Sequence, residues 1–111
     1  MMNLSKHFTL DELIKSATAQ RKGIDNFPTA EHLENLRDLV EQILEPLRAH
    51  YGRPIIITSG YRSEKLNRAV GGSKTSQHCL GMAADIRSVS DKRCDNKELF
   101  DMILEMGLPF D

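Results

Sequence analysis

The run Ser76, Gln77, His78, Cys79, Leu80, Gly81, Met82, Ala83, Ala84, Asp85 carries the residue types best suited to chemistry in this chain. A neutral histidine and an ionised aspartate are both ligands of zinc, and a catalytic zinc takes three protein ligands and one water. The metal lowers the pKa of that water to about 7 and polarises a carbonyl. Gly81 permits a turn that brings His78 back over a following strand. Side chains alternate along a strand, so Ala83 and Asp85 share a face and the small Ala83 leaves room beside the carboxylate. An aspartate inside an apolar strand is costly to bury alone, and a shared cation satisfies it. The competing reading leaves His78 in a solvated loop and bonds Asp85 to backbone or arginine. Spacing alone leaves both open.

The elements that must position this segment are legible from caps and periodicity. Thr9 and Glu12 form a capping box, with Phe8 and Leu13 at the staple positions, and the pattern predicts one helix fading by Lys22 and Gly23. Asn26, Phe27 and Pro28 read as a turn. Thr29 caps a long second helix whose core stripe is Leu33, Leu36, Val40, Ile43, Leu44 and Leu47. Pro46 inside it predicts a kink near 42–46, and Gly52 ends it. Pro54, Ile55, Ile56, Ile57 and Thr58 read as a buried strand. Ser63 caps a short helix, and Gly71, Gly72 and Ser73 open a loop. Residues 82–86 read as a second strand. Asp95 with Glu98 makes a further capping box for a last helix, which Gly107 stops.

The chain has 111 residues, 40% hydrophobic and 28% charged, which is the composition of one folded domain rather than a disordered segment. The net charge is −1, so no large field exists to attract a nucleic acid or an anionic membrane. One locally basic stretch, 61–74, holds Arg62, Lys65, Arg68 and Lys74; it reads as a solvated helix face or a contact for a small acidic ligand. No stretch approaches the roughly 20 apolar residues of a membrane span, and no signal-peptide core is visible at the start. The expectation is a protein made in the cytoplasm that reaches any outside target after release or delivery. Cys79 and Cys94 lack zinc-knuckle spacing and read as reduced thiols, with Cys79 beside His78 as an outside candidate ligand.

The pattern Ser-x-His-x-x-Gly-x-Ala-x-Asp, met here by Ser76, His78, Gly81, Ala83 and Asp85, resembles the M15 family of zinc peptidases, the D-alanyl-D-alanine carboxypeptidase-like group. The segment Ser59, Gly60, Tyr61, Arg62, Ser63 with Leu66 and Asn67 resembles that family's arginine-bearing segment. Phe8, Thr9, Leu10, Glu12, Leu13, Asn26 and Pro28 are similar to its small, phage-associated branch. The resemblance implies an α+β fold, a small antiparallel sheet with flanking helices of the Hedgehog and DD-peptidase kind, in a single domain spanning 1–111. It implies zinc-dependent hydrolysis of peptide bonds in peptidoglycan stem peptides, as a carboxypeptidase or endopeptidase of endolysin type. His78 and Asp85 inherit metal ligation. Arg62 inherits substrate or oxyanion contact, for which its planar fork is suited. Ser76, Gln77 and Tyr61 are the substrate-binding candidates.

The resemblance breaks off before the family's last strand, which carries a third ligand histidine and a general base. His7, His32 and His50 lie in the wrong region, with His32 and His50 reading as surface residues of the long helix, and neither Glu105 nor Asp111 occupies the matching position. The expectation is therefore an incomplete domain in which zinc binds weakly or not at all and catalysis is lost. A non-catalytic module that binds peptidoglycan or zinc is the alternative. An uncovered sheet edge would also favour self-association.

Overall fold

The computed structural model describes residues 3–90 and 92–105. The elements run α1 (Leu10–Ile14), α2 (Ala17–Lys22), α3 (Ala30–Leu39), a π-helical turn (Val40–Leu44), α4 (Glu45–Tyr51), β1 (Ile55–Ser59), α5 (Glu64–Ala69), a 3-10 turn (Gln77–Leu80), β2 (Asp85–Ser88) and α6 (Arg93–Glu105). The fold is α+β, with helices packed around a two-stranded antiparallel sheet.

The capping signals at Thr9, Thr29 and Ser63 hold. Each side chain accepts from the backbone N–H three residues on, and at Thr9 the box closes because Glu12 reaches back to the cap. Phe8 and Leu13 are both buried in the core cluster, as a staple requires. The first helix, however, is two. Ser16 takes an extended backbone and caps α2 through the Ala19 N–H, while Lys15 is extended at the end of α1. The second local cap competes with helix continuation because the Ser16 hydroxyl offers the Ala19 N–H an acceptor in place of the Lys15 carbonyl.

The kink expected near Pro46 takes the form of the π turn. Proline cannot donate to the preceding turn and its ring crowds the carbonyl there. Widening the helix over Val40–Leu44 places Pro46 in the first turn of α4, where neither cost arises. The stripe stays inward through the change, with Leu36, Val40, Leu44 and Leu47 all buried. Gly52 ends α4 with φ of 73°.

β1 and β2 pair in the register Ile55 to Ser88, Ile56 to Arg87 and Ile57 to Ile86, with an irregularity between Ile57 and Ser59 that sets Ser59 opposite Asp85. Ile55 is buried in the core, and Ile57 and Ile86 pack against it. Alternation puts Ile56, Arg87 and Asp85 on the opposite face. β2 begins at Asp85, so residues 82–84 are not strand; they form an irregular link from the Gly81 turn. Asp95 lies inside the first turn of α6 rather than at its cap. Gly107, the expected stop, lies outside the described residues.

Candidate functional site

His78 enters the site on the 3-10 turn, and three contacts hold it there. The Ser76 hydroxyl caps the turn by accepting from the His78 N–H at 3.2 Å. The His78 carbonyl accepts from the Arg62 N–H at 3.1 Å. Ring Nδ1 lies 2.7 Å from the Gly60 carbonyl oxygen. A carbonyl only accepts, so Nδ1 carries a hydrogen, and in the neutral form of the ring the lone pair is on Nε2. That nitrogen faces Asp85 Oδ2 at 3.6 Å.

Two acceptors facing each other repel unless a proton or a cation lies between them. Donors bound tetrahedrally to one zinc at about 2.0–2.2 Å stand about 3.3–3.6 Å apart, and the observed spacing falls in that range. A backbone carbonyl fixing the far nitrogen is also the usual support of a metal-bound histidine. The pair therefore fits a divalent cation. Among the described residues no third His, Cys, Asp or Glu joins it, so these two supply part of a ligand set.

The burial argument for Asp85 does not hold. Its side chain is 66% exposed while that of His78 is 13% exposed. The carboxylate stands at the start of β2 rather than inside an apolar strand, and its own carbonyl accepts from the Thr58 hydroxyl at 3.1 Å. What recommends the pair as a candidate is convergence, not the cost of a buried charge.

Arg62 lies beside the turn. Its Nη2 donates to Ser76 Oγ at 3.2 Å, and its Nε is buried without an acceptor. Ser76 thus joins the Arg62 fork to the His78 turn. Gln77 is exposed at the head of that turn, and its carbonyl accepts from the Met82 N–H at 3.1 Å. Tyr61 is in the core, 5% exposed; its hydroxyl lies 3.1 Å from His32 Nδ1. Burial pushes the Tyr61 phenol above its ordinary pKa, with the Cys79 and Asp25 charges adding to the effect. Cys79 is half-buried and Cys94 exposed, both as free thiols. His50 is exposed, as read, but His32 is not a plain surface residue.

Several positioning contacts escaped sequence reasoning. Asn26 is buried. Its Nδ2 donates to the carbonyls of Ile14 at 2.7 Å and Tyr61 at 3.0 Å, and its Oδ1 accepts from the Ser63 N–H at 2.7 Å. It ties the end of α1 to both sides of Arg62. Its place in the Asn26-Phe27-Pro28 turn and in the family resemblance marked the residue but not these partners. Asn35 donates to the Leu80 carbonyl at 2.8 Å. Gly81 has φ of 76°, and a Cβ there would lie 2.6 Å from the His32 carbonyl oxygen. The histidine turn is therefore seated directly on α3. The loop before it is fastened by Asn67, whose Nδ2 donates to the Ser73 carbonyl at 2.8 Å.

Beside this pair runs a groove of about 670 Å³ whose floor is β1, with Lys15 from the junction of α1 and α2, Arg62, and Arg87 from β2 among its walls.

No helix among the described residues is long and apolar enough to cross a membrane. No curated protein and no solved structure matches the chain. A protein-family model described as Peptidase M15 matches residues 6–106, which takes in the caps, the arginine segment, the histidine turn and both strands. M15 peptidases are generally zinc-dependent, and the His78–Asp85 pair is of the donor types that such an enzyme employs. The chain belongs to the Peptidase M15 family.

Proposed function

We propose that this chain carries part of the active site of a zinc-dependent peptidase that cuts peptide bonds in bacterial peptidoglycan, as a carboxypeptidase or endopeptidase of the endolysin type. The observation that carries the reading is the pairing of His78 Nε2 with Asp85 Oδ2 at 3.6 Å while Nδ1 is held on the Gly60 carbonyl. His78 and Asp85 are the metal donors. A bound zinc ion supplies Lewis acidity toward the scissile carbonyl and its attacking water.

The chain's own groups do the rest of the positioning. The Gly60 carbonyl keeps the Nε2 lone pair free for the cation. Arg62, steadied by Ser76, directs its remaining N–H groups at a substrate carboxylate or at the oxygen that gains charge as the carbonyl is attacked. Gln77, exposed at the head of the turn, contacts the peptide, and Tyr61 holds the arginine segment from beneath. The remaining donor and the proton-transferring group come from outside the described residues.

The full protein should release soluble peptides from purified cell walls, and a chelator should stop it until zinc is restored. His78→Ala should abolish the release. Digestion that continues in chelator, or in H78A, refutes the mechanism. A non-catalytic wall- or zinc-binding module is the second reading, favoured by the absence of a third donor among the described residues. Retention on insoluble peptidoglycan with no peptide released would establish it instead.

A further inference from the structure

We infer that the groove along β1 is an anion-selective subsite in which Lys15 and Arg87 hold a carboxylate of the peptide ligand, apart from the bond that is cut. The substrate class rests on the peptidase reading above; the groove itself does not.

Charge is the first argument. Lys15, Arg62 and Arg87 line the groove against a single acid, Glu12. Glu12 Oε1 is already committed to the capping box, accepting from the Thr9 N–H at 3.1 Å and the Thr9 hydroxyl at 3.2 Å. None of the three cations takes part in an ion pair among the described residues. The chain as a whole has net charge −1, so this local excess of positive charge is a property of the groove and not of the composition.

Geometry is the second. Arg87 Nη1 donates to its neighbours' carbonyls, Ser88 at 2.9 Å and Val89 at 3.4 Å. Those bonds orient the guanidinium without neutralising it and leave its other N–H groups to bind a carboxylate. Arg62 lines the groove, bonds to Ser76 and to the His78 carbonyl, and has a buried Nε that lacks an acceptor. Ile56, on the sheet face shared with Arg87 and Asp85, and the exposed Val70 add apolar wall. At about 3.3 Å per residue, β1 is long enough to lie beside a stretch of about four extended residues. A short extended peptide with small apolar side chains and a free carboxylate matches these walls. One end of it would reach Arg62.

The test is a titration of the isotope-labelled 111-residue chain in metal-free buffer, followed by amide resonances. The probes are two end-capped alanine tetrapeptides, one with an internal glutamate and one with glutamine there. Saturable shifts at Thr18, Ile56 and Thr58 are expected, with the glutamate peptide binding about threefold or more tightly. Lys15→Glu and Arg87→Glu should each erase that preference. Lys15→Gln and Arg87→Gln, checked for native resonance dispersion, should weaken it. H78A should leave it intact, which separates this result from the fate of the metal reading. Equal affinity for both peptides, shifts elsewhere or none, charge-reversed variants that still discriminate, or loss of discrimination in H78A would each overturn the inference.

Discussion

His78 Nδ1 and the Gly60 carbonyl oxygen lie 2.7 Å apart, and Gly60 is held in turn by Leu13. A Cβ at position 60 would stand 2.2 Å from the Leu13 carbonyl oxygen, which itself accepts from the Tyr61 N–H at 2.6 Å. The clash is with backbone, so no side-chain motion relieves it. Gly60→Ala should cost about 1–3 kcal/mol in urea unfolding. It should also weaken zinc binding, because the carbonyl that orients His78 is displaced. A variant of unchanged stability would refute the close approach.

Asp85→Asn separates stability from metal affinity. The carboxylate faces His78 Nε2, and an amide can donate to that nitrogen in its place. Unfolding free energy should change by no more than about 0.5 kcal/mol, in either direction, since the side chain is largely exposed. Zinc affinity should fall by about tenfold or more, read by calorimetric titration. A large stability loss with unchanged zinc binding would reverse the assignment.

Asn26 offers a test of the scaffold beneath Arg62. Asn26→Asp keeps the acceptor for the Ser63 N–H but turns the other end into an acceptor facing the Ile14 and Tyr61 carbonyls. Leaving buried groups unpaired costs about 1–3 kcal/mol each. Asn26→Asp should therefore destabilise at neutral pH at least as much as Asn26→Ala, despite being closer in shape. Thermal unfolding of both variants decides the order.

Glu45 predicts an acid-sensitive contact far from the site. Burial alone would raise its pKa; hydrogen bonds from Ser5 and from the His7 ring and backbone outweigh that and hold it below the ordinary 4.5. A carboxylate with a depressed folded-state pKa adds stability above its unfolded pKa and loses it as pH falls through the folded value. The contact ties residues 5–7 to the first residue of α4. Glu45→Gln should lower stability at pH 7 and flatten the fall in melting temperature below about pH 4.5, where the two proteins should converge. Parallel melting curves across pH 3–7 would refute it.

Sequence alone determined what depends on neighbours along the chain. The caps at Thr9, Thr29 and Ser63, the stop at Gly52 and the stripe of the long helix follow from hydrogen bonds and periodicity within a few residues. The His78 and Asp85 motif was legible because both residues sit in one short ordered pattern. Ser16 shows the limit of such reasoning, because two local caps competed and periodicity could not rank them. Tertiary structure decided everything that depends on contacts between distant segments. Examples are the exposure of Asp85, the burial of Tyr61 against His32, the three hydrogen bonds of Asn26, and the placing of Lys15 and Arg87 along one groove. The tautomer of His78 belongs there too. It is chosen by a carbonyl 18 positions away, a partner that no local propensity encodes, because only folding brings that acceptor within hydrogen-bond reach.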